Sequence, residues 1–383
     1  MGRGRFRALL ALACALAALT AATSAPGQGA PPSPCVGDTS ADGVVAKPGP
    51  RLRFGITPAG RAGAIGPPVP VTPGSKTQTL TALRGLRPPG APFVLRLNRF
   101  FWSLRSDGFH EFLRRARGYA NRGYLVELQL RYHPDDRQEG AIGRWVRFVR
   151  NVTRAFGRIR GVVGLQVANE VNFYPIAPDA SDSAYEGAQA ALVRGVLAAQ
   201  RVKQRRDYRQ LEIGFNWAYR ADPNREANFW GYLRDRGGKA FSRAVDWVGL
   251  DAYPGTVFPP AEPPGGERDG IVAAMSQLRQ CFMPIAGLGA RVPIHVEENG
   301  WPTGPGRSEA SQEVALRAMV GAVQEFRGTY GVSDYRWFDL RDHNTSSQNF
   351  QQHYGLLRDD YTQKPAYGAY RDLVRQFTRR RSG

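Results

Sequence analysis

Two stretches bring carboxylates to places where chemistry has more use for them than folding does. In Pro293-Ile294-His295-Val296-Glu297-Glu298-Asn299-Gly300-Trp301-Pro302 an apolar strand pattern runs into acid, then breaks at Asn-Gly and Pro. In Val162-Val163-Gly164-Leu165-Gln166-Val167-Ala168-Asn169-Glu170 a second apolar run ends in Asn-Glu. A carboxylate at the lip of a buried strand is costly unless it has partners or a task. One such residue reads as a solvated strand end. Two read as a pair of carboxyls facing one substrate, the arrangement that cleaves glycosidic bonds. In its retaining form one carboxyl protonates the leaving oxygen and the other attacks the anomeric carbon, about 5–5.5 Å away. The acid must be protonated while the nucleophile is ionised, so their surroundings must differ.

The elements that must position this pair follow a repeat. Strand patterns at Arg51–Thr57, Pro92–Asn98, Tyr124–Tyr132, Val162–Asn169, Gln210–Trp217, Val245–Tyr253, Val292–Glu298 and Asp334–Leu340 alternate with helical ones. The helical segments are Thr77–Gly85, Gly108–Arg122, Ile142–Phe156, Ala184–Arg205, Asn228–Gly237, Gly270–Gly287, Ser308–Phe326 and Ala366–Phe377. Eight strand–helix pairs predict an α/β fold, a single (β/α)8 TIM barrel. A doubly wound open sheet is the rival, but no Gly-rich phosphate loop follows the first strand.

In such barrels the active site lies at the C-terminal ends of the strands. Polar residues collect there: Arg96 and Asn98, His133, Asn169 and Glu170, Asn216 and Trp217, Asp251 and Tyr253, Glu298, Trp337 and Asp339. Arg96 and Tyr253 suit a role beside the nucleophile, where a cation and a hydroxyl donor favour a carboxylate. Trp217, Trp301 and Trp337 are candidates to stack on sugar rings, with ordinary core packing as the alternative for each. Strand alternation turns Glu297 and Glu298 to opposite faces and cannot choose between them.

The chain has 383 residues, 42% of them hydrophobic, which is ample for one large barrel. Residues 1–25 run from Met-Gly-Arg-Gly-Arg-Phe-Arg through an apolar stretch to small residues, the order of a secretory signal peptide. Residues 26–50 read as a Pro/Gly-rich linker or tail, 51–378 as the catalytic barrel, and 379–383 as a basic C-terminal tail. Export predicts a secreted, extracellular protein in which Cys35 and Cys281 have the opportunity to pair. After signal cleavage no stable membrane insertion is expected.

The net charge of +19 includes three arginines of the leader, Arg3, Arg5 and Arg7, leaving +16. Only five of the 52 basic residues are lysine, and the arginines spread over every helix instead of forming a stripe. No nucleic-acid-binding motif accompanies them, so nucleic acid is not the expected partner. A carbohydrate substrate is, with a mild preference for an acidic or cell-wall glycan. No Cys/His cluster has metal-ligand spacing, and neither metal nor cofactor is expected. A monomer is expected.

Asn169-Glu170 and Glu298-Asn299-Gly300-Trp301-Pro302 resemble the catalytic signatures of clan A glycoside hydrolases, which are retaining (β/α)8 enzymes. The second segment is similar to the Glu-x-Gly-Trp-Pro motif of family 17 glucanases and to the Glu-Asn-Gly of family 1. Tyr354-Gly355-Leu356-Leu357 with Lys364-Pro365-Ala366-Tyr367 resembles the ends of several bacterial families, 5 and 39 among them. The resemblance spans the barrel in pattern but only short motifs in residues. It implies Glu170 as acid/base, Glu298 as nucleophile and Asn169 as a partner of the sugar 2-hydroxyl. Arg96, Tyr253 and Trp337 then stand where clan members keep a nucleophile-orienting Arg, a Tyr and a sugar-stacking Trp. Two departures stand out: Val171 follows Asn-Glu where many members have Pro, and Glu297 precedes the nucleophile position where small hydroxyl residues are common.

Two other readings use the same residues. A transglycosylase differs only in whether water or a sugar completes the second step. A silent carbohydrate-binding barrel would need neither Glu170 nor Glu298. A serine hydrolase is disfavoured, since no Gly-x-Ser-x-Gly elbow is present. Substrate choice would fall to the irregular segments Thr57–Lys76, Asn172–Ser183, Pro254–Asp269 and Arg341–His353.

Overall fold

Eight parallel strands pair in chain order, and the last returns to the first to close the barrel. They are β1 (Arg53–Ile56), β2 (Val94–Phe101), β3 (Leu125–Arg131), β4 (Val162–Val167), β5 (Glu212–Ala218), β6 (Trp247–Asp251), β7 (Ile294–Asn299) and β8 (Val332–Trp337). The computed structural model describes residues 44–58, 69–102, 108–135, 138–173, 180–219, 223–257 and 266–379. Helices follow the strands, so the chain is a single (β/α)8 barrel. Its described residues belong to one compact unit. The expected leader, Cys35 and the basic tail from residue 380 lie outside the described residues. None of the described helices is long and apolar enough to cross a membrane.

Strand alternation divides the molecule into two cores. Outward residues such as Phe54, Leu97, Phe100, Phe215, Val296 and Tyr335 are fully buried in one continuous apolar layer under the helices. Phe100 shows how that layer is filled: it stacks on Phe112 at 4.4 Å and meets Phe148 edge-on at 5.4 Å. The inward residues are polar instead. Arg53, Asp334, Arg336 and Glu127 form a chain of ion pairs through the barrel, and His295 bridges Glu297 and Asp334. Glycines make room for this charged filling. A Cβ on Gly164 would lie 2.6 Å from Glu127 Cγ, and one on Gly249 would lie 2.9 Å from Glu297 Cγ.

Most expected segments shift by a few residues at their ends, and one helix changes more. The helix expected at Asn228–Gly237 begins at Pro223 and continues, through a wider turn at Leu233–Gly237, to Ala244. Residues 44–50, the end of the expected linker or tail, run along the end of helix Glu309–Tyr330. There Thr329 bonds the backbone of Val45 and Lys47, and Arg327 donates to the carbonyls of Gly49 and Pro50.

Candidate active site

Glu298 lies near the end of β7, where the pairing slips: Leu250 opposes Val296, but Asp251 opposes Glu298. A second slip lies between Val296 and Asn299 against β8. One extra residue in a strand re-phases the side chains beyond it. Glu297 and Glu298 therefore both reach the barrel interior, and the expectation of opposite faces is corrected. Glu297 sits deeper, fully buried, 3.3 Å from Arg96 Nε and 3.3 Å from His295 Nδ1. Glu298 faces the mouth of the barrel. Its Oε1 accepts from Arg96 Nη1 at 2.7 Å and from Gln129 Nε2 at 3.3 Å, and its Oε2 accepts from the Tyr253 hydroxyl at 2.7 Å. Arg96 also donates to Gln166 Oε1 at 2.7 Å, which fixes its fork.

Glu170 follows β4 in a turn with two left-handed residues, Ala168 (φ 64°) and Glu170 (φ 47°). Neither is glycine, and each such position costs about 1–3 kcal/mol unless its surroundings enforce it. Here they do. Asp182 accepts from the backbone N–H groups of Asn169 and Tyr132 and pairs with Arg131 at 2.7 Å. The Glu170 N–H donates to Asn216 Oδ1 at 2.9 Å, and Ser181 Oγ donates to the Glu170 carbonyl at 2.7 Å. Asn169 Oδ1 gathers donors from Gln129, Gln166 and Asn216, while its Nδ2 donates to the Ala180 carbonyl.

The two strand ends converge with a third carboxyl. One carboxyl oxygen each from Glu170, Asp251 and Glu298 lies within 4.8 Å of the others. The environments differ as acid–base chemistry requires. Burial, with the neighbouring Glu298 next, pushes the Glu170 carboxyl up to about 8. Glu298, though close to the other two carboxyls, accepts hydrogen bonds from a guanidinium, a phenol and an amide. A second cluster, Glu127, His295 and Glu297, lies below. Burial and the adjacent Glu297 drive the Glu127 carboxyl well above its usual range. Two acids and a histidine within reach of one another suggest a metal, but Arg96 and Arg336 already bring positive charge to these groups.

No family model matches the sequence, and no curated protein matches it. Solved structures do match in shape. A structure of two fungal β-1,4-galactanases superposes with a TM-score of 0.53 at 12% identity, covering 84% of this chain and 99% of that one. GH5_18 from Streptomyces cattleya in complex with GlcNAc gives 0.55 at 15% identity, with 86% and 80% covered. The GH2 β-galacturonidase from Eisenbergiella tayi bound to galacturonate gives 0.52 at 15% identity, covering 78% of this chain and 46% of that one. What they share with this chain is a fold.

Within that fold, the tryptophans lie elsewhere than expected. Trp217 is fully buried; because Asn216 faces inward, it points out under the helices, donating to Glu226 and packing on Trp230 and Phe282. Trp337 is likewise fully buried in the apolar layer. Trp301 is 8% exposed, and the Arg307 guanidinium covers its ring at 4.1 Å. All three are corrected from rim platforms to packed residues. The aromatic group next to Glu298 is instead Tyr253, Phe338 and Tyr354, a cluster separate from the main core. His133 packs between Phe101 and Tyr185, at 4.6 and 4.9 Å. Gln129, Gln166, Asp182, Phe338 and Tyr354 were not expected at the site. The inward parity of Gln129 and Gln166 with Arg96 was the signal that could have found the first two.

Proposed function

We propose that this chain is a glycoside hydrolase of retaining mechanism, with Glu170 as acid/base and Glu298 as nucleophile. The observation that carries the reading is the approach of these two carboxyls to within 4.8 Å, with Glu170 buried and pushed up to about 8 and Glu298 held by Arg96 and Tyr253. That separation suits direct attack on the sugar; inverting enzymes keep their carboxyls about 6.5–9.5 Å apart to admit a water.

In the first step Glu170 gives its proton to the glycosidic oxygen as that oxygen leaves C1 with the bonding pair. A Glu298 oxygen closes on C1 and forms a glycosyl ester. In the second step Glu170, now a carboxylate, takes a proton from water, whose oxygen attacks C1 and frees Glu298. Arg96 and Tyr253 hold the two Glu298 oxygens before attack and after release. None of these steps calls on a cofactor or metal.

The basic, apolar, small-residue order of residues 1–25 supports export to the extracellular space. Excess positive charge supports a glycan bearing acid groups or held in a cell wall, and the galacturonate bound by one structural neighbour is in keeping with that. The test is product release from neutral and acidic polysaccharides, with the anomeric configuration of the first product read by NMR. Release with retained configuration supports the reading; inverted product, or no release from any glycan by wild type, contradicts it.

A further inference from the structure

Asp251 is the third carboxyl of the cleft, and nothing in the two-step chemistry above uses it. It ends β6, is 2% exposed, and makes one side-chain hydrogen bond among the described residues: its Oδ2 accepts from Asn216 Nδ2. Its Oδ1 is buried without a hydrogen-bond partner, in a cleft where Glu170 and Glu298 are within 4.8 Å. A buried oxygen left in this way costs free energy, so the residue stands here for a reason other than stability.

Asn216 supplies the reason. Its amide faces three ways at once. Oδ1 accepts the N–H of Glu170 at 2.9 Å, Nδ2 donates to Asn169 Oδ1 at 2.9 Å, and the other Nδ2 hydrogen goes to Asp251. An amide flipped by half a turn would present Nδ2 to the Glu170 N–H, donor against donor. Asp251 accepts only the unflipped form. It thus fixes the one contact that holds the Glu170 backbone in its left-handed conformation from the β5 side.

On the reading of Glu170 as the acid, we propose that Asp251 is a positioning residue for it. Acting through Asn216, it holds Glu170 and Asn169 in the geometry needed to protonate the leaving oxygen. It touches neither that oxygen nor the anomeric carbon in this scheme. The environment agrees with a group that works by accepting a hydrogen bond. Burial first, and then Glu298, drive the Asp251 carboxyl well above its usual range, while Arg96 pulls it the other way. An asparagine can therefore replace it: the side-chain oxygen still meets Asn216, and an amide takes the place of Oδ1.

The test uses kcat/KM for phenyl and 2,4-dinitrophenyl β-glycosides of the glycone that wild type turns over fastest. Phenoxide needs protonation to leave and dinitrophenoxide does not. For D251A the expected result is a loss of about ten- to a hundredfold on the phenyl glycoside, a misplacement effect, with the dinitrophenyl glycoside within about threefold of wild type. D251N restores the phenyl rate to within about threefold. N216A, which breaks the same bond from the other side, gives the same split should D251A fail to fold, and D251A/N216A adds no further loss. Equal losses on both glycosides, or D251N as impaired as D251A, would overturn the positioning role and leave the hydrolase reading intact. Turnover of neither glycoside by wild type, for any of the gluco, galacto, manno and glucurono forms, would remove both.

Discussion

Arg96 and Glu298 stand 202 residues apart in the chain and meet at 2.7 Å inside the barrel. The same guanidinium lies 3.3 Å from Glu297 and 3.6 Å from Glu127, so one buried cation serves three carboxyls. Removing a buried charge partner costs about 3–5 kcal/mol, because the remaining charges stay uncompensated. R96M is therefore expected to lose stability on that scale by denaturant unfolding, along with nearly all activity. R96K keeps the charge but not the fork that reaches Glu298 and Gln166 together. Its melting temperature is expected closer to wild type, with kcat/KM down about ten- to a hundredfold.

Glu170, pushed up to about 8, gives the pH dependence a definite sign. In its proposed role as the acid it works protonated, so kcat/KM is expected to fall as pH rises through about 8. Linkage adds a stability effect. The folded state holds this proton more tightly than the unfolded chain, whose carboxyl has the ordinary value of 4.5. Its stabilising contribution is complete below that value and is lost as pH rises toward about 8. E170Q cannot ionise, so its melting temperature relative to wild type is expected to climb between about pH 5 and 8. A constant difference across that range would contradict the raised value.

Consecutive glutamates that both face the interior call for separate tests. E298Q is expected to abolish turnover, by at least about a thousandfold, with the fold intact by circular dichroism. E297Q keeps Glu298 and its two main donors, changing the charge contacts to Arg96 and His295 that lie beneath them. Its kcat/KM is expected within about tenfold of wild type. The reverse order would move the nucleophile to Glu297.

Trp217 and Tyr253 separate packing from chemistry. W217A empties a fully buried site under the helices and is expected to cost about 3–5 kcal/mol of stability. The kcat of its folded fraction should survive. Y253F removes the hydroxyl that bonds Glu298 and little else. Its kcat is expected to fall about ten- to a hundredfold, since one hydrogen bond to a charged group is worth about 1.5–3 kcal/mol.

The barrel was legible in the sequence because short strand-like runs with apolar outward residues recur between helices that keep their own period. Glu170 and Glu298 were legible for a related reason: each interrupts such a run with a charge. The inward direction of both Glu297 and Glu298 was not, because it depends on register slips against β6 and β8 that no single strand records. The tryptophans misled through type. Position along a strand fixes direction more firmly than aromatic character does, and Asn216 facing in commits Trp217 to facing out. Phe338 escaped notice because it lies just past the last paired residue of β8, where strand parity no longer applies.

The most direct measurement is covalent trapping. Wild-type protein would be incubated with 2,4-dinitrophenyl 2-deoxy-2-fluoro-β-glycosides of the gluco, galacto, manno and glucurono series, digested, and its peptides mapped by mass spectrometry. The expected result is a single fluoroglycosyl adduct on Glu298, formed with release of one equivalent of dinitrophenolate. An adduct on Glu297 or Asp251, or no adduct with any glycone under which the protein turns over substrate, would contradict Glu298 as the nucleophile.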